Sequence, residues 1–192
     1  TFLALGQILK AHAGILDSDE VPTMESKLEA VLPAGEDRYW LRQRLRPLLG
    51  LEATHARREE NFAAWRRFLE LVGRGGPTVV VLEDLQWADD AMLGFVDGIV
   101  SRDLKTPLLV IATTRPELLQ RHTGPLVASG EDDRPLRLTL PALSRRQTGA
   151  LVAALLDSQP TTDAETRLAA VTGGNPLYAE QYVRLLLDRG LV

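Results

Sequence analysis

The chain has 192 residues, 45% of them apolar and 25% charged, with a formal charge of −4. That suits one domain, or one domain with a small lid, has ample material for a core, and argues against direct nucleic-acid binding by this segment. Without cysteine, disulfides and thiolate metal sites are excluded. No apolar run reaches the ~20 residues of a membrane span and no signal-peptide pattern opens the chain, so a cytoplasmic setting without a membrane partner is expected.

The sequence opens at Thr1 rather than Met, directly in a helical pattern, as expected of a segment of a longer protein. Phe2, Leu5 and Leu9 start one apolar face. Met24, Leu28, Val31 and Leu32 make a second, with Pro22 at its start and Pro33 closing it. Residues 37–49 carry Arg38, Arg42, Arg44 and Arg46. They are open to two readings, a surface for an acidic or phosphate-bearing partner or the solvated face of a helix. Phe62, Trp65, Leu69 and Val72 then recur at helical spacing, so core packing is the role expected of Trp65. Gly73 to Pro77 breaks that helix.

Thr78-Val79-Val80-Val81-Leu82 follows and ends at Glu83-Asp84. An uninterrupted apolar run predicts a strand buried on both faces, as in a parallel sheet covered by helices. Ligands of open α/β sheets bind at the carboxyl ends of the strands. Two acids in that place form the Walker B pattern, in which one carboxylate holds Mg²⁺ and the other orients the attacking water. Solvated acids after a buried strand are the plain alternative. A phosphate-cradling loop also needs Gly-x-x-x-x-Gly-Lys-[Ser/Thr]. The three lysines, Lys10, Lys27 and Lys105, follow Leu9, Ser26 and Leu104, so that motif is absent.

Asp89 is placed to cap the next helix, whose apolar side is Leu93, Val96, Ile99 and Val100. A second apolar strand, Leu108 to Ala112, ends at Thr113-Thr114-Arg115-Pro116. Hydroxyls and a guanidinium there can bond a phosphate or the surroundings of a lytic water, although a surface turn before a proline-started helix has the same residues. Gly124 to Pro135, acidic at Glu131, Asp132 and Asp133, is expected to be a loop. Leu136-Arg137-Leu138-Thr139-Leu140 alternates and predicts a half-covered or edge strand. Ser144 and Gln147 form a capping box before Leu151, Val152, Leu155 and Leu156. Gly173-Gly174-Asn175-Pro176 stops one helix and starts another bearing Tyr178, Tyr182, Leu185 and Leu186.

In order, Val79 to Asp84, Leu85-Gln86-Trp87-Ala88-Asp89-Asp90, Thr113 to Leu118, Leu140-Pro141-Ala142-Leu143-Ser144 and Gly173 to Leu177 resemble AAA-like, STAND-type signalling ATPase domains of large bacterial regulators. The resemblance runs from about Ala63 to Leu187. It implies an α/β fold, a P-loop NTPase-like parallel sheet flanked by helices, without its N-terminal strand and P-loop, followed by a helical lid. Residues 1–140 would be the truncated core and 141–192 the lid. It also implies ATP and Mg²⁺ as cofactors, Glu83 and Asp84 as the catalytic and metal-holding pair, and Arg115 as a sensor-1-type catalytic arginine. Thr113, Thr114, Gly174, Asn175 and Pro176 would contact the nucleotide or position the lid. The family often has Asp where Glu83 stands, which leaves the division of labour between the two acids open.

Ala64-Trp65-Arg66-Arg67-Phe68, Glu83-Asp84-Leu85-Gln86-Trp87, Phe95-Val96-Asp97 and Arg115 to Leu119 look similar to the ATPase region of adenylate/guanylate-cyclase-type regulators. The second-best resemblance is to LuxR/MalT-like transcription regulators. The implied partners are ATP or ADP and other domains of the parent chain, with an oligomer left open. The alternative is a degenerate nucleotide sensor or interaction module without catalysis. In the family fold the P-loop strand lies between the sensor-1 strand and the last strand. Val110 and Leu138 are therefore expected to flank a gap, and the chain by itself to be marginal or rearranged and to hydrolyse no ATP.

Overall fold

The computed structural model describes residues 2–52, 56–101, 106–127, 135–156 and 162–190. Their backbone forms a mostly helical α/β protein that divides into two compact units, residues 1–135 and 136–192.

The first unit opens with α1 (Leu3–Ala13), α2 (Val21–Val31) and α3 (Asp37–Leu45). Leu5, Leu9, Leu28, Leu41 and Leu45 are all buried at the apolar spacing expected of such helices. The arginines of α3, and Arg46 in the 3₁₀ turn that follows it, meet acids of the same chain. Arg38 and Arg42 reach Glu29 at 2.7 and 3.0 Å, Arg46 reaches Glu25 at 2.5 Å, and Arg44 reaches Glu60 at 2.7 Å. The arginine-rich segment is thus committed to neighbouring helices rather than left as a solvated face. Helix α4 (Arg58–Val72) buries Trp65, Phe68 and Leu69. The Trp65 indole N–H donates to the Arg44 carbonyl at 2.9 Å, which satisfies the one polar atom of a buried ring. Its ring lies 4.4 Å from that of Phe2, 5.6 Å from Phe62 and 5.8 Å from Phe95, so Trp65 has a packing role.

Strand β1 (Thr78–Leu82) leads through a short 3₁₀ turn (Leu85–Trp87) into α5 (Asp90–Val100), then β2 (Leu108–Ala112) and α6 (Pro116–Arg121). The strands pair in parallel from Thr78 opposite Leu108 to Leu82 opposite Ala112. This βαβ unit is the only sheet among the described residues.

Two strand expectations are corrected. The sheet is not buried on both faces: Val80 and Leu82 enter the core with Leu93, Phe95, Val96 and Ile99, whereas Val79 and Val81 are 56% and 53% exposed. Their register partners Leu109 and Ile111 are exposed as well. The described helices cover one face, and strand alternation sends the other side chains to solvent. Leu136–Leu140 is not a strand either. Its three leucines are 77–90% exposed and its backbone has no ladder partner, so an alternating pattern alone does not produce a strand here. Leu138 accordingly flanks no sheet gap, and the segment groups with the second unit.

The second unit contains α7 (Arg145–Leu156), α8 (Thr162–Thr172) and α9 (Pro176–Asp188) around a small core of Val152, Leu168 and Val183. On α7 only Val152 of the expected apolar face is fully buried, while Leu155 is exposed. The capping box forms: Gln147 N–H donates to Ser144 Oγ at 3.3 Å and Ser144 N–H to Gln147 Oε1 at 2.9 Å. Glu131, Asp132 and Asp133 lie outside the described residues. No described helix is long and apolar enough to cross a membrane.

Candidate functional site

Leu82 and Ala112 are register partners, so β1 and β2 end side by side. Glu83 and Asp84 leave one strand where Thr113, Thr114 and Arg115 leave the other, and all five are exposed. Backbone and side-chain bonds tie the two ends. The Thr113 N–H donates to the Leu82 carbonyl at 2.9 Å, and the Leu85 N–H returns a bond to the Thr113 carbonyl at 2.9 Å. The Asp84 N–H donates to the Thr113 hydroxyl at 3.0 Å.

Asp84 takes φ 56° and ψ 42°, the one non-glycine residue with positive φ among those described. Asp tolerates the left-handed region better than most side chains, yet a non-glycine residue there still carries a conformational cost. The chain turns there directly into the 3₁₀ turn. Gln86 spans the turn, with Nε2 donating to Asp84 Oδ1 at 2.8 Å and Oε1 accepting from the Arg115 N–H at 3.2 Å. Arg121 Nη2 donates to the Gln86 and Ala88 carbonyls at 2.8 and 3.0 Å, anchoring the turn to α6. The Arg115 guanidinium lies 6.0 Å from the centroid of the Trp87 ring, which is 77% exposed. The Thr114 hydroxyl donates to the Arg115 carbonyl at 3.3 Å.

Neither acid of the pair is neutralised. Glu83 makes no hydrogen bond or ion pair among the described residues, and Asp84 has only the neutral Gln86 donor on its carboxylate. Their oxygens suit a hard cation such as Mg²⁺, which takes one or two carboxylates and fills its shell with water and phosphate oxygens. The described residues contain no group of three or more histidines, cysteines or acids able to hold a metal, so the pair would supply at most two carboxylate ligands. Asp89 plays the structural part expected of it, its Oδ1 accepting from the Met92 N–H at 2.8 Å at the start of α5.

Comparison with protein-family models, curated proteins and solved structures finds no match to this chain.

The remaining expected site residues, Gly174, Asn175 and Pro176, belong to the second unit and join α8 to α9. Gly174 sits at φ 73°, and a Cβ there would lie 2.4 Å from the Leu143 carbonyl oxygen, while its own carbonyl accepts the Leu143 N–H at 2.8 Å. Asn175 Oδ1 accepts the Leu177 N–H at 3.0 Å, and Pro176 opens the helix. These contacts account for the three residues within the unit itself. Sequence reasoning gave no role to Gln86 or Arg121. Gln86 lies two residues after the second acid, inside a turn too short for a helix, and that placement was the available signal.

Proposed function

We propose that this chain is part of an ATP-binding and ATP-hydrolysing regulatory switch domain of a multidomain bacterial signalling protein. The observation that carries the proposal is the parallel, in-register pairing of β1 with β2, which sets Glu83 and Asp84 beside Thr113, Thr114 and Arg115 at one carboxyl edge. Acids on one strand end and hydroxyls with a guanidinium on the next suit a metal-bound polyphosphate.

In this proposal Glu83 and Asp84 would hold Mg²⁺ and orient water, and Arg115 would meet the terminal phosphate. Bound Mg²⁺ would neutralise charge on the phosphate oxygens. The Thr113 hydroxyl already accepts the Asp84 N–H, so Thr113 first sets the backbone on which the acid stands. Thr114 and Arg115 remain exposed at the edge for a ligand. The helices of residues 141–192 would serve as the lid, with Gly174 to Pro176 fixing the angle between two of them. The P-loop fold and the cyclase- or LuxR/MalT-like parentage belong to the same proposal.

Catalysis requires a phosphate cradle that these 192 residues lack, since no Gly-Lys pair occurs in them. The alternative, a nucleotide sensor or interaction module without turnover, draws on that absence and on the exposed Val79, Val81, Leu109 and Ile111 face. ATP turnover by the full gene product distinguishes them. Glu83→Gln or Asp84→Asn should lower kcat at least about a hundredfold if the pair is catalytic. Turnover unchanged by both substitutions would rule out the hydrolytic assignment.

A further inference from the structure

We propose that Gln86 is a positioning residue for the Asp84 carboxylate. It rests on the proposed nucleotide site for its consequence, but its geometry stands independently. The carboxamide has one orientation that satisfies both neighbours: Nε2 must face Asp84 Oδ1 at 2.8 Å, because a carboxylate only accepts, and Oε1 must face the Arg115 N–H at 3.2 Å, because an amide N–H only donates. Through these two bonds the Gln86 side chain ties the turn after β1 to the end of β2.

Its own backbone is held by Arg121, whose guanidinium donates to the carbonyls of Gln86 and Ala88. The Asp84 backbone is fixed by Thr113 through the bond to its N–H. The carboxylate would otherwise rotate about χ1 and χ2 in solvent, and Gln86 removes that freedom without neutralising the charge. A group that orients a metal-holding carboxylate while leaving it anionic is what a divalent cation site requires of its surroundings. Glutamate at this position would keep an acceptor for Arg115 and set an oxygen against Asp84 Oδ1, turning attraction into repulsion. Alanine would remove both bonds.

The test has two arms on the full gene product. In the first, ATP is titrated calorimetrically with and without Mg²⁺ into wild type, Gln86→Glu and Gln86→Ala, with Gln120→Ala, exposed on α6, as a surface control. Gln86→Glu is expected to weaken the Mg²⁺-dependent part of binding by about tenfold or more, the usual cost of losing an outer-shell partner, with cooperative urea unfolding retained. Undiminished Mg²⁺-dependent affinity in Gln86→Glu overturns the proposal. In the second arm, without nucleotide or metal, Gln86→Ala is expected to raise hydrogen exchange at the Arg115 N–H severalfold and to shift the Asp84 carboxyl carbon resonance. If both stay at their wild-type values, the proposal is overturned whatever the first arm gives. Should the wild type bind no ATP, the nucleotide assignment fails by itself and this second comparison alone decides the role of Gln86.

Discussion

The Asp84 N–H donates to the Thr113 hydroxyl across the ends of two parallel strands, at 3.0 Å, from a left-handed backbone conformation. A side chain expected to meet a ligand is thus part of the frame that presents the neighbouring acid. Thr113→Ala should remove that acceptor at a cost of about 0.5–1.5 kcal/mol, while Thr113→Ser should retain most of the stability. Urea denaturation of the two variants checks the difference.

The φ of 56° at Asp84 makes its backbone tolerance specific. Asp84→Gly and Asp84→Asn should fold with near-wild-type stability, because both residues enter the left-handed region at low cost. Asp84→Val should lose about 1–3 kcal/mol, since β-branching opposes that conformation. Equal midpoints for Asn and Val variants in chemical denaturation would contradict this account of the turn.

One face of the sheet is packed and the other open, and substitution separates them. Val81→Thr and Ile111→Thr, on exposed register partners, should each change stability by no more than about 0.5 kcal/mol. Phe95→Ala, in the core opposite, should cost about 3–5 kcal/mol. A loss above about 1 kcal/mol for either threonine variant in thermal melts would mean that something covers the open face.

Asn175 offers a way to separate capping from ligand contact. Asn175→Ala should destabilise the second unit by about 1 kcal/mol by freeing the Leu177 N–H, and Asn175→Asp should restore the cap. If Asn175 also contacts nucleotide, ATP affinity will stay low in the Asp variant after stability has recovered, and calorimetry reads that directly.

Asp19 gives the first unit a contribution to stability that acid removes. The Lys27 ammonium, donating at 2.6 Å, and then the Leu16 N–H, at 2.8 Å, hold its carboxyl below the usual carboxylate range. A carboxyl with a lowered folded pKa contributes stability that is full above its unfolded value and lost as pH falls through the folded one. Melting temperatures of wild type and Asp19→Asn should therefore differ at neutral pH and converge below about pH 4. A gap that persists unchanged to lower pH would show that Asp19 acts through packing instead.

What could be read from the sequence is what local chemistry decides. The strand and helix at Thr78 to Val100, the Asp89 cap, the Ser144–Gln147 box and the Asn175-Pro176 helix start all depend on residues a few positions apart, and all are present. The failures are non-local. Whether Val79 and Val81 are buried depends on what lies over them, and whether Leu136–Leu140 is a strand depends on an available edge. Neither condition is written in a period-2 pattern. The arginines of residues 37–49 were ambiguous for the same reason, since Glu25 and Glu29 come from another helix. At the candidate site the acids and Thr-Thr-Arg were visible as strand ends. The Gln86 bridge was not, because it closes only when residues 29 apart are brought together.

The most direct test of the central claim is a calorimetric titration of ATP, with and without Mg²⁺, into the full gene product and its Glu83→Ala/Asp84→Ala double variant. The account predicts ATP binding that Mg²⁺ strengthens in the wild type, with the Mg²⁺ dependence lost in the double variant. No ATP binding by the wild type, or a Mg²⁺ effect that survives removal of both acids, would contradict it.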